Sequence, residues 1–255
     1  MNRFFIKAEQ LKEDSVYITG DDYNHIKNVL RMRIGEELLL CDGGEKEYLC
    51  RIAGYDESRS MVFLDITDVF GNARELPAEI TLFQGYPKGD KLETIVQKAV
   101  ELGAFEIVPV SMKRCVVKLD EKKAAKKTER LNAISLSAAK QSKRGRIPKV
   151  TRVMSLADAC DYAKEMDYIL LPYENAEGMD VSRRLIAEAK DKKRIGIFVG
   201  PEGGFEASEV ERIEAVGGKV MSLGHRILRT ETAGMTILSL LMFMLEEDGQ
   251  NIEEQ

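Results

Sequence analysis

In the second part of the chain the hydrophobic period keeps changing, and that change restricts the fold more than any other property of the sequence. Short apolar runs at Glu79–Gly85, Phe105–Val110, Tyr168–Leu171, Ile195–Val199 and Lys219–Leu223 are separated by helical or glycine-rich stretches. After the first run, KGDKLETIVQKAVELG places Leu92, Ile95, Val96 and Ala99 on one stripe with Gly103 just past its end, the pattern of an amphipathic helix. After the second, a basic helix over Ala124–Ala139 turns Leu131, Ile134 and Ala138 inward. Strand and helix alternating in this way predict an α/β domain with a mostly parallel sheet covered on both faces. In such a sheet ligands bind beyond the carboxyl ends of the strands.

The amino-terminal part reads differently. Extended runs at Phe4–Lys7, Val16–Thr19, Glu37–Cys41, Tyr48–Tyr55 and Met61–Val69, with turn signals such as Asp42-Gly43-Gly44, predict a small, mostly β domain of the barrel kind. Asp21 or Asp22 can cap a short helix whose apolar positions are Ile26, Val29 and Leu30. Phe70–Pro77 reads as a linker, which gives domains 1–72 and 73–255. With 44% hydrophobic and 32% charged residues, both can build a core without disulfide or metal staples.

Several classes are disfavoured. Cys41, Cys50, Cys115 and Cys160 are scattered, with neither disulfide nor zinc spacing, which suits a reducing cytoplasm. The apolar stretch near the amino terminus is too short for a signal peptide, and no run approaches the length of a membrane span. The net charge of -5 argues against a nucleic-acid partner only as an average. From Met112 to Arg152 there are 14 Lys or Arg against 3 Asp or Glu, a local +11 that leaves -16 on the remainder. A phosphate backbone responds to the local field, so an RNA partner stays in view. Lys143, Arg144 and Arg146 follow a helix whose apolar stripe is already used, which offers their side chains to phosphates.

Three strand ends lead into chemically promising loops: LLPYEN, GPEGGF and SLGHRILRTETAG. Glycine and proline in the second allow tight turns and close approach of backbone groups to a ligand, and such groups can read an adenine edge. Neither a P-loop nor a dinucleotide fingerprint occurs. The third loop packs Arg226, Arg229, Thr230, Glu231 and Thr232 into seven positions ahead of an apolar helix, where capping alone needs one of them. An anionic substrate would account for the arginines. An open nucleotide-binding sheet would place its glycine-rich loop after the first strand, whereas here GYPKGDK stands there and the glycines come late.

GPEGGFEASEVE (Gly200–Glu211), SLGHRILRTETAG (Ser222–Gly234), KGDKLETIVQKAVELG (Lys88–Gly103), KRCVVK (Lys113–Lys118), AAKQSKRGRIPKV (Ala138–Val150) and HIKNVLRMRIGEEL (His25–Leu38) together resemble the ribosomal small subunit methyltransferase E family, of the knotted SPOUT methyltransferases. The six blocks run in order over nearly the whole chain. The resemblance implies a PUA-like amino-terminal β-barrel and a carboxyl-terminal α/β SPOUT domain with a trefoil knot. It also implies a cytoplasmic homodimer with no membrane partner, which methylates N3 of one uridine of 16S rRNA in the small ribosomal subunit. S-adenosyl-L-methionine is the implied cofactor, met by Leu171, Pro172, Gly200, Glu202, Gly203, Ser222, Leu223, Gly224 and Leu228; no metal is implied. Within the matching blocks Arg31, Arg33, Lys88, Arg114 and Arg226 join Lys143, Arg144 and Arg146 as implied RNA contacts. One position departs: the block before KRGRI commonly has an acidic residue ahead of glutamine, and this chain has Lys140.

Uridine N3 is a poor nucleophile until its proton departs, and a guanidinium near a flanking carbonyl would stabilise the developing anion. Arg229 is the candidate for that role, with Glu231 as its orienting partner or as a base. Glu202 either meets the cofactor or ties two loops together. His25 and His225, the only histidines, are assigned no catalytic part. A methyltransferase for another RNA base and an RNA-binding module without methyl transfer remain as alternatives. The last helix, Thr230–Glu246, is apolar on nearly every face and so predicts burial against its own domain and a second subunit, or entirely within its own domain.

Overall fold

The computed structural model describes residues 1–44, 46–71, 74–115, 121–176 and 178–246. Among the described residues the chain divides into two compact units, one of residues 1–75 with 143–147, the other of residues 76–142 with 148–246.

The first unit is a five-stranded sheet. Its strands are β1 (Arg3–Phe5), β2 (Ser15–Thr19), β3 (Glu37–Cys41), β4 (Lys46–Asp56) and β5 (Met61–Gly71), in the order β1-β3-β4-β5-β2. β1 runs parallel to β3 and the other pairs are antiparallel. Ile18, Leu38, Leu40, Cys50, Ile52 and Leu64 fill its core. The short helix α1 (Gly20–Asn24) begins at Thr19, with Asp21 and Asp22 in its first turn rather than at the cap. It continues into a π turn, His25–Val29, closed by the Leu30 N–H on the His25 carbonyl at 2.8 Å. The wider π turn buries Ile26 but carries Val29 into solvent, against the expectation that both face inward.

The second unit is an α/β sheet. Its main strands are β6 (Glu79–Gly85), β7 (Glu106–Ser111), the two-residue β8 (Lys149–Val150) and β9 (Met154–Ser155), β10 (Tyr168–Pro172), β11 (Arg194–Val199) and β12 (Gly218–Met221). The order is β12-β10-β11-β6-β7-β8, with β9 also against β7, and each assigned pair is parallel. Between them lie α2 (Lys91–Glu101), α3 (Glu121–Gln141), α4 (Leu156–Ala163), α5 (Met179–Glu188), α6 (Ala207–Ala215) and, at the end, α7 (Thr230–Leu245). Leu92, Ile95, Val96 and Ala99 are buried along α2, and Gly103 takes φ +88° just after it. Phe83 and Phe198 stack with ring centroids 4.4 Å apart inside the sheet core.

α7 departs from burial on all sides. Gly234, Ile237, Leu238, Leu241 and Leu245 form a buried stripe, while Leu240 is exposed and Phe243 is 85% exposed. A helix fully enclosed by its own unit is therefore excluded. Among the described residues no helix is long and apolar enough to cross a membrane.

Candidate functional site

β10, β11 and β12 lie close together in one parallel sheet, so the loops after their carboxyl ends emerge on the same side. Those loops and the start of α7 enclose a cleft of about 1010 Å³, large enough for a cofactor of nucleoside size. Its lining includes Pro172, Gly200, Glu202, Ser222, Leu223 and Gly224, with Arg226, Leu228 and Arg229 on the third loop.

Backbone contact fixes the second loop. A Cβ at Gly85, the last residue of β6, would stand 2.5 Å from the Pro201 nitrogen, so only glycine permits this approach. Thr230 then binds three segments together: its hydroxyl donates to the Gly200 carbonyl at 2.6 Å and accepts from Gln84 Nε2 at 2.8 Å. In the third loop the Ser222 N–H donates to Ser182 Oγ at 2.9 Å, and the Gly224 N–H donates to Ser222 Oγ at 3.2 Å. Gly224 has φ +112°, a conformation costly for other residues.

Charge gathers at one wall. Lys91 Nζ lies 2.9 Å from Glu202 Oε1 and 3.6 Å from Glu231 Oε2. The hydrogen bond to Glu202 raises the Lys91 pKa above the usual lysine value, so the group stays cationic. Burial opposes the charge on Glu202, but hydrogen bonds from Lys91, from its own backbone N–H and from that of Lys88 outweigh it, and its carboxyl sits below the usual glutamate value. Glu202 also accepts from the Lys88 N–H at 3.1 Å, so it ties the second loop to the entry of α2. Glu231 Oε2 is buried without a hydrogen-bond partner among the described residues, as is Gln84 Oε1. Arg229 occupies the N-cap of α7 in extended conformation, with its side chain exposed.

The cleft suits S-adenosylmethionine. Leu223 and Leu228 line it, and neither is within a helix or strand of the fold. Backbone donors and acceptors at such positions match an adenine edge, and the nearby Glu174 and Glu202 carboxylates suit a cationic ligand.

An RNA methyltransferase domain family matches residues 74–242, and an RNA methyltransferase PUA domain family matches residues 18–59. The ribosomal RNA small subunit methyltransferase E of Bacillus subtilis is 36% identical over 96% of this chain and 98% of its own length. The chain belongs to the ribosomal RNA small subunit methyltransferase E family. A solved member from Neisseria gonorrhoeae, bound to S-adenosyl methionine, is 30% identical with a TM-score of 0.79, covering 96% of this chain and 98% of that one. A methyltransferase from Legionella pneumophila, solved with its cofactor SAM, is 31% identical with a TM-score of 0.77 over 94% of this chain and 96% of that one. S-adenosylmethionine is accordingly the cofactor of the family to which this chain belongs.

Not every expected residue reaches the cleft. Leu171 is wholly buried in the sheet core, since β10 is covered on both faces and its first four residues are all buried; Pro172, the last residue of the strand, lines the cleft instead. Gly203 faces Arg114, whose Nη1 donates to the Gly203 carbonyl at 2.8 Å, while Gly204 lines the cleft. Arg144 is corrected as an RNA contact: it is 4% exposed, and its guanidinium is ion-paired with Glu75, Nε lying 3.1 Å from Oε1. Arg31, Arg33, Lys88, Lys143 and Arg226 are exposed, and Arg146 is half-buried. Arg226 lies at the cleft itself. Lys140 is exposed at the end of α3, His225 lines the cleft, and His25 packs edge-on to Phe4 in the first unit. Sequence reasoning missed the Lys91 contacts to Glu202 and Glu231 and the bond between Gln84 and Thr230, although Lys91 falls in the KGDK stretch that carried the family resemblance.

Proposed function

We propose that this chain methylates small subunit ribosomal RNA at N3 of one uridine of the 16S molecule, using S-adenosylmethionine. The observation that carries this reading is an exposed arginine, Arg229, lining the cleft at the N-cap of α7, next to Glu231, whose buried Oε2 has no hydrogen-bond partner among the described residues. When bound, the cofactor supplies a sulfonium methyl and leaves as a neutral thioether. Arg229 donates to a uracil carbonyl oxygen as the N3–H bond breaks, and Glu231 accepts the proton. The N3 electron pair then forms the new bond to the methyl carbon. The loops around Gly200, Leu223 and Gly224 hold the reacting partners in line and exclude water.

The remaining assignments belong to the same reading. The PUA-like region (1–72) and the exposed Arg31 and Arg33 engage RNA, with Lys88, Arg114, Arg226, Lys143 and Arg146 as further contacts. The methyltransferase region (73–255) carries the trefoil knot, and the enzyme acts in the cytoplasm as a homodimer on the small ribosomal subunit. The exposed Phe243 and Leu240 on an otherwise apolar α7 support the dimer. Light scattering at micromolar protein should give about twice the mass of the 28.7 kDa chain, and a monomer would remove that assignment.

The deciding experiment incubates the protein, labelled cofactor and small subunits from a strain lacking the gene, then maps the rRNA by mass spectrometry. A single N3-methyluridine is expected. Methylation of another base, or cofactor binding with no transfer, would overturn the reading.

A further inference from the structure

Two carbonyl oxygens flank uridine N3, yet the proposed chemistry assigns a cation to only one of them. We propose that Lys91 is the second: a catalytic lysine that donates to the other uracil carbonyl as N3 loses its proton. This rests on the uridine-N3 reading above. Lys91 opens α2, and its side chain is 36% exposed in the same cleft as Arg229. Glu202, 2.9 Å away, holds one side of the ammonium; Glu231 Oε2 lies at 3.6 Å, beyond hydrogen-bond reach. An ammonium has three protons, so this arrangement aims the group without exhausting its donors. The charges facing it are Glu202 from the second loop, Glu231 from α7 and the repelling Arg229, whose field reaches Lys91. The Glu202 bond also keeps Lys91 protonated, which suits a donor and excludes it as the base.

The charges balance through the step. The N3–H proton passes to the Glu231 carboxylate, negative charge develops over N3 and both carbonyl oxygens, and it disappears as N3 bonds to the methyl and the sulfur–methyl bond electrons remain on sulfur. Lys91 and Arg229 therefore face the charge at opposite ends of the same O–C–N–C–O system, where it exists only during reaction.

A substrate whose N3–H is intrinsically more acidic provides the test, because it depends less on cationic help. Single-turnover rates are compared for wild type, Lys91→Met and Lys91→Gln on uridine-containing rRNA and on the same RNA carrying 5-fluorouridine. On the ordinary RNA each variant should lose on the order of tenfold to a hundredfold in rate with cofactor affinity retained. The deficit should shrink on the fluorinated RNA, and Lys91→Arg should recover part of the rate. An equal deficit on both RNAs would show that Lys91 only braces Glu202 and the loop, and a normal rate would likewise overturn the proposal. Because the ratio is read within each folded variant, failure of one substitution leaves the other to decide. Wild-type enzyme that does not methylate uridine N3 would instead remove the underlying reading.

Discussion

The loops at 143–147 and 225–230, KRGRI and HRILRT, are both rich in arginine, yet the structure uses their cations in opposite ways. Arg144 lies inside the first unit against Glu75, which also accepts the Arg146 N–H at 3.3 Å. Arg229 stands exposed at the cleft, while the neighbouring Glu231 faces Lys91 instead. A buried ion pair offsets the large cost of removing two charges from water, so little of its field remains for a ligand. An exposed guanidinium on a fixed backbone keeps its fork for an incoming carbonyl. Charge density in a sequence thus locates cations without revealing what they act on.

That contrast can be broken most sharply at Arg144. Arg144→Ala strands Glu75 and should lower stability by about 3 kcal/mol in urea denaturation, with the folded fraction still active. A loss below about 0.5 kcal/mol would mean that the pair is solvated after all. Arg229→Ala should show the reverse: single-turnover methylation falls by roughly a hundredfold, equivalent to about 2.7 kcal/mol, while melting temperature and calorimetric cofactor affinity hold. Arg229→Lys should recover only part of the rate, since lysine lacks the planar fork. Joint loss of rate, cofactor binding and stability would make Arg229 a brace like Arg144. The smallest effect belongs to Arg31 and Arg33, exposed on the first unit. Changing both to alanine should reduce the slope of log affinity for RNA against log salt by about one unit per lost phosphate contact. An unchanged slope would place them outside the RNA interface.

The sequence made the main strands readable because each buries a near-continuous apolar run, as Glu79–Gly85 does. It could not show β8 and β9, whose two residues each are too short to carry a period. The π turn after α1 displaced Val29 because a local change of helical pitch leaves no mark in composition. The three cleft loops were legible from glycine, proline and charge, but their partners were not: Gln84 and Thr230 are separated by 146 positions and meet only when the sheet forms. Lys91 resembled an ordinary first-turn lysine until the distances to Glu202 and Glu231 set it apart. Leu171 lies in the core because β10 is covered on both faces, and only the end of the strand at Pro172 opens to the cleft, a boundary set by its pairing with β11 and β12.

The Thr230 hydroxyl has a consequence for how the enzyme is born. Its two partners, on Gln84 and Gly200, are synthesised well before it, and the helix that Thr230 begins runs almost to the end of the described chain. Domains fold largely as their segments emerge, amino-terminal parts first, and contacts distant in sequence close late. The cofactor cleft therefore cannot mature on a nascent chain whose last helix is still inside the exit tunnel. Until α7 has emerged, the strands and loops already made lack one wall of the cleft that would hold the methyl donor.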